Sequence, residues 1–141
     1  MSAAAGYGYF DVVADVGVYA WGSTLSEAFA QAALGVFALI VDPGSAEPRE
    51  SREVLAQGET QEALLVNWLN ECLYVHDIEA FVVNRIEFLV FEATRIHARL
   101  WGEELNPGRH RVGTVVKAAT FHQVQVHETA GRWEIRVVLD V

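Results

Sequence analysis

Between Thr24 and Ile40 the chain carries a helical signature that any fold must accommodate. Thr24-Leu25-Ser26-Glu27 has the form of a capping box, in which a Thr hydroxyl and a Glu carboxylate satisfy free amide donors at a helix start. Behind it, Leu25, Ala28, Phe29, Ala32, Ala33, Val36, Phe37 and Ile40 recur at the three-and-four spacing of one buried helix face. Asp42-Pro43-Gly44 then stops the helix. A second stripe (Leu64, Leu65, Trp68, Leu69, Cys72, Leu73) follows Gly58-Glu59-Thr60, with Glu59 and Glu62 at the end where a helix dipole favours acid. Two such faces need a large apolar surface to cover them.

The rest of the chain reads as the strands that supply it. Tyr7–Val13 and Val16–Trp21 form a strand pair about Ala14-Asp15, and Arg49–Gln57 reads as a charged edge strand. Phe81–Phe91, Thr94–Trp101, Val115–Ala119 and Phe121–His127 follow, with turns at Asn106-Pro107-Gly108 and Thr129-Ala130-Gly131. The last strand alternates: Trp133, Ile135, Val137 and Leu139 face one way, Arg132, Glu134, Arg136 and Asp140 the other. The expected order is β-β-α-β-α-β-β-β-β-β, an α+β single domain with two amphipathic helices packed on a largely antiparallel β-sheet. Residues 1–6 read as a flexible N-terminal tail and 7–141 as the domain.

Composition narrows the function. A chain of 141 residues with 52% apolar residues can build a core without disulfides, and Cys72 is its one cysteine. Cys72 lies on the second helical stripe, where a packed, inert thiol is expected. Nineteen acidic against ten basic residues give a net charge of −9. Tight direct binding of nucleic acid draws on basic side chains, so cations or a basic protein surface are the expected partners. No segment has the pattern of a signal peptide or a membrane span, and a cytoplasmic location is expected.

The chemistry-bearing residues are few. Gly6-Tyr7-Gly8 is a fragment of a phosphate-loop pattern and reads better as the entry to a strand. There is no Gly-x-Ser-x-Gly elbow, and His76, His97, His110, His122 and His127 lack zinc-ligand spacing. Three clusters remain. Asp11 and Asp15 lie at a break between strands, and Asp140-Val141 places a side-chain carboxylate beside the chain's own α-carboxylate. Together they could offer hard oxygen ligands to Ca²⁺, Mg²⁺ or Mn²⁺, although each Asp alone is more often a turn or strand-end residue. The third is Lys117, the only lysine, set in an apolar run beside His122. It reads either as an edge-strand lysine that discourages aggregation or as one aimed at a carboxylate cluster or a partner's phosphate.

In these residues the chain resembles the archease family. The family's opening Asp-His-Thr-Ala-Asp-Val-Gly stands here as Asp11-Val12-Val13-Ala14-Asp15-Val16-Gly17, followed by Trp21-Gly22. Thr24-Leu25-Ser26-Glu27-Ala28-Phe29, the Leu64–Tyr74 block, Val116-Lys117-Ala118-Ala119-Thr120-Phe121-His122 and the ending Leu139-Asp140-Val141 match its other motifs in order. The resemblance implies a non-enzymatic activator of an RtcB-type RNA ligase in tRNA splicing and RNA repair. Such an activator promotes GTP-dependent guanylylation and multiple turnover of the ligase. The resemblance also implies a bound divalent cation, Ca²⁺ first and Mg²⁺ or Mn²⁺ next, with Asp15, Asp140 and Val141 as ligands. Lys117, Asp11 and His122 would be functional neighbours. The alternative is a chaperone-like modulator of another RNA-modifying enzyme, such as a tRNA methyltransferase. A metal-dependent hydrolase ranks last, since no base or oxyanion donor accompanies the Asp cluster. Val12-Val13 replaces the family's His-Thr, and if that pair supports the metal, affinity is lower here.

Overall fold

Antiparallel pairing starts at the N-terminal hairpin, where β1 (Gly6–Val12) folds onto β2 (Asp15–Gly22) through Val13-Ala14. Ala14 takes the left-handed conformation that this tight reversal needs, φ 66°. The computed structural model describes residues 4–141, so the first half of the expected tail lies outside the described residues, and Gly6 already belongs to β1. After β2 come helix α1 (Leu25–Ile40), strand β3 (Glu50–Gln57), helix α2 (Gln61–Glu79), and strands β4 (Phe81–Phe91), β5 (Arg95–Glu104), β6 (Ala118–Thr129) and β7 (Arg132–Asp140).

The α+β reading stands, with one refinement. The strands divide into two antiparallel sheets, a four-stranded β1-β2-β7-β6 and a three-stranded β3-β5-β4. The helices lie between them: α1 packs on β2, β1, β7 and β4, while α2 packs on β6 and β3. Each helix meets both sheets, so its buried face is wider than a single stripe. Leu34, Leu39, Val66 and Val75 extend the buried sets beyond the stripes read from the sequence. Trp68, fully buried, donates its indole N–H to the Phe29 carbonyl at 3.0 Å and so ties one helix to the other. Cys72 is buried, and burial pushes its thiol well above the ordinary range, as expected of an inert packing residue.

Both helix starts are capped. The Thr24 hydroxyl accepts from the Glu27 amide at 3.1 Å, and Thr60 accepts from Ala63 at 3.0 Å. The reciprocal half of the first box is shifted by one residue, because the Glu27 carboxylate reaches the Ser23 amide and hydroxyl instead of the Thr24 amide.

The expected Val115–Ala119 strand is a correction. Residues 113–117 are extended but unpaired as a strand, and β6 begins only at Ala118 and runs on to Thr129 across an irregularity between Thr120 and Gln125. Gln123, at φ 55°, marks that bulge. The hairpin to β7 closes through Ala130-Gly131, both at positive φ as a type I′ turn requires. Ile135, Val137 and Leu139 enter the core as the alternation predicts.

Gly6-Tyr7-Gly8 also finds its explanation in the sheet. Gly6 and Gly8 sit opposite Trp21 and Tyr19 on the outer face, and those rings lie flat against them. Phe10 covers Gly17 in the same way. The Tyr19 and Trp21 rings stack 5.6 Å apart, with Arg132 over Trp21 and Arg136 over Phe10. The glycines are therefore a packing requirement of this face.

The connection from β5 to β6 is fastened by a buried ionic knot. Glu103 accepts from the Arg109 guanidinium, from the Glu47 amide at 2.7 Å and from His110 Nε2 at 3.2 Å. His110 Nδ1 in turn accepts from the Asn106 amide at 2.7 Å, which leaves Nε2 as the protonated nitrogen of a neutral ring. Burial drives the Glu103 carboxyl up, but the Arg109, Glu47 and His110 hydrogen bonds outweigh it and hold the group at about 2 against an ordinary 4.5.

Two outcomes follow from this framework. A methyl group at Gly102, in the central strand of the smaller sheet, would run into the Val82 carbonyl; Gly102→Ala should destabilise by about 1–3 kcal/mol in urea unfolding. Because its carboxyl is depressed in the fold, Glu103 contributes stability fully above pH 4.5, and that contribution drains away as pH falls toward 2. Glu103→Gln should lower the urea midpoint at pH 7 and flatten its decline over that acidic window; an unchanged profile would contradict the knot.

Candidate functional site

The site is built by strand register. β2 pairs with β7, and the last matched pair is Val16 with Leu139. One step further along both strands stand Asp15, which opens β2, and Asp140, which closes β7. Strand alternation places them on the outer face, Asp15 in phase with Gly17 and Tyr19, Asp140 in phase with Val138 and Arg136. Val141 follows directly. The first hairpin and the end of the last strand thus meet at one edge of the four-stranded sheet.

The same alternation separates Asp11 from Asp15. Asp11 pairs with Val16 and shares the helix-facing side with Tyr9 and Tyr7, whereas Val12 pairs with Asp15 and shares its face. Tyr9 donates to the Gly35 carbonyl of α1 at 2.7 Å, which confirms where that side of the hairpin points. The wall beside Asp15 is therefore Val12, an apolar residue.

Lys117 arrives at this edge from the extended segment before β6. Gly113 and Thr114 donate to the Ile40 and Leu39 carbonyls at 2.8 and 2.7 Å, and Lys117 donates its own amide to the Asp140 carbonyl at 2.8 Å. Two residues on, Ala119 is clamped by Asn70 of α2, which accepts from its amide at 2.8 Å and donates to its carbonyl at 3.1 Å. The backbone at Lys117 is thus fixed beside Asp140, while the side chain is exposed and makes no hydrogen bond or ion pair among the described residues. His122 lies apart, exposed in the irregular part of β6, with its amide donating to Thr120 Oγ1 at 3.3 Å. Its ring makes no hydrogen bond to either carboxylate.

This arrangement suits a hard cation in its donor chemistry. Two carboxylates at neighbouring register positions are hard oxygen donors of the kind a divalent cation takes. Among the described residues, no three His, Cys, Asp or Glu side chains gather as a metal site. Asp15 and Asp140 offer oxygen donors, not the thiolate or imidazole donors of a zinc-type site. Sequence reasoning singled out Asp15, Asp140 and Lys117 and passed over Glu103 and His110, which hold the start of the 105–117 connection. Only the Glu103-Glu104 pair before a turn and a histidine after it mark them in the sequence. Among the described residues, no helix is long and apolar enough to cross a membrane.

Comparison with known proteins bears on the whole chain. Residues 7–141 match the model of the archease protein family. The protein archease of Danio rerio is 37% identical over 139 residues, covering 96% of this chain and 85% of that protein. That of Pyrococcus abyssi is 35% identical over 137 residues, covering 94% and 96%. The solution structure of protein 1598 from Methanobacterium thermoautotrophicum superposes with a TM-score of 0.80 at 35% identity, covering 96% of this chain and 99% of that one. A crystal structure from Thermotoga maritima, described as an archease and possible chaperone, shares the fold with a TM-score of 0.58 at 18% identity, covering 94% of each chain. With its motifs, its fold and its full-length relatives in agreement, the chain belongs to the archease family.

Proposed function

We propose that this protein is a non-catalytic activator of an RtcB-type RNA ligase, using the edge formed by Asp15, Asp140, Val141 and Lys117. The single observation that supports this reading is the β2–β7 register, which brings the ends of both strands, Asp15 and Asp140, to neighbouring positions, with the Lys117 amide bonded to Asp140. Asp15, Asp140 and a Val141 oxygen would hold a divalent cation, Ca²⁺ or in its place Mg²⁺ or Mn²⁺. When bound, that cation supplies a fixed positive charge at an otherwise acidic edge. Lys117 offers a mobile ammonium next to it, suited to a phosphate or carboxylate of the ligase–nucleotide complex. No nucleophile with an adjacent base accompanies them, so the edge orients and neutralises charge and leaves bond-making to the partner. The net charge of −9 fits docking on a basic, nucleotide-loaded surface. Cytoplasmic action belongs to the same reading.

The test is reconstitution with the ligase of the same source. Adding this protein should speed GTP-dependent guanylylation and convert a single round of joining into many, on RNA with a 2′,3′-cyclic phosphate and a 5′-hydroxyl. Asp15→Ala, Asp140→Ala and Lys117→Ala should each cut that stimulation by roughly tenfold or more, about 1.4 kcal/mol. Each lies at the rim, so melting temperatures should stay within a few degrees. No acceleration by the unaltered protein would overturn the function. Full stimulation by all three variants would overturn the site.

A further inference from the structure

The outward face of α2 carries features that the carboxylate edge leaves unexplained. α2 closes the seam between the two sheets. On one side Asn70 grips Ala119 of β6; on the other, Asn67 donates to the Gln57 carbonyl at 2.6 Å and Glu79 accepts from Arg52 at 2.6 Å. β6 and β3 are both edge strands, and among the described residues no element lies over the helix surface between them, which faces solvent. There Tyr74 is 62% exposed and Ile78 is 66% exposed, one helical turn apart on one ridge. Leu55 of β3, 64% exposed, lines a groove with Asn67, Asn70 and Glu71 beside that ridge.

The charge on this face is of one sign. α2 contains Glu62, Glu71, Asp77 and Glu79 and no Lys or Arg. Glu79 is answered by Arg52, but Glu71 and Asp77 have no hydrogen bond or ion pair among the described residues. Asp77 and Glu79 also stand at the helix C-terminus, the end where the backbone dipole disfavours acid. The helix then stops on Ala80 at φ 52°, a position that glycine occupies more cheaply. A helix end that keeps acid, alanine and two large apolar side chains in water gives up stability it could easily have.

From this juxtaposition we infer that the α2 ridge is a second docking surface, whose occupant is a basic amphipathic segment of a partner protein. Its apolar side chains would seat on Tyr74, Ile78 and Leu55, and its lysines or arginines would answer Glu71 and Asp77. The surface is separate from the carboxylate edge and does not depend on the ligase reading. The Asn70–Ala119 clamp joins it mechanically to the strand that begins beside Asp140.

A synthetic Lys/Leu amphipathic helical peptide serves as the probe, titrated into ¹⁵N-labelled protein, with the Glu/Leu peptide as control. The Lys/Leu peptide should shift amides across 71–80 and at Leu55 first, and the Glu/Leu peptide should leave them in place. Tyr74→Ser with Ile78→Ser should weaken binding by roughly tenfold. Asp77→Lys should weaken binding while raising the melting temperature, a pairing that a purely structural role for Asp77 does not produce. Shifts centred on the Asp15–Asp140 edge, or undiminished binding by the double variant, would overturn the inference. So would sedimentation showing that this ridge pairs two copies of the chain.

Discussion

The pairing of β2 with β7 is the constraint on which the rest depends. It joins a hairpin from the start of the chain to the last strand, and the residues of the carboxylate edge are placed relative to it. Antiparallel register is strongly specified wherever one face is buried, because a slip by one residue would turn a whole apolar set to water. Here Val18, Ala20, Ile135, Val137 and Leu139 all sit in the core, so the pairing cannot slide without exposing them. The meeting of Asp15 and Asp140 is a consequence of that packing. A weakly conditioned contact between two loop carboxylates would lack this rigidity.

Support from behind comes from α1, α2 and the smaller sheet. Trp68 links the helices through Phe29, and α2 passes its position on to β6 through Asn70. The long connection from β5 is pinned at its root by Glu103 and near its end by α1 carbonyls, so Lys117 is delivered to a fixed place although it lies outside any strand. A site made from rigid strand ends and a tethered segment can hold charges in place before a partner arrives, as the proposed function requires.

Much of this was legible in the sequence because its signals are local. The helix starts at Thr24 and Thr60, the Ala130-Gly131 turn and the alternation from Ile135 to Leu139 depend on neighbours in the chain and appear as read. What was not legible depends on distant partners. The split into two sheets depends on how β3, β4 and β5 find each other, and the strand pattern alone does not distinguish one sheet from two. Val115–Lys117 has strand composition, yet the amides of Gly113 and Thr114 just before it go to α1 and that of Lys117 goes to Asp140, so it stays outside β6. Asp11 and Asp15 look equivalent in the sequence and fall on opposite faces once β1 and β2 pair. Glu103 and His110 are ordinary polar residues until burial makes them partners.

The most direct test of the carboxylate edge is paramagnetic broadening by Mn²⁺ of the amide resonances of the free protein, since it reports position without any partner. At a few per cent occupancy, the account expects broadening centred on 13–16, 117–118 and 139–141, removed by excess Ca²⁺. Broadening spread over the acidic surface, or centred away from the place where β2 and β7 end together, would contradict it.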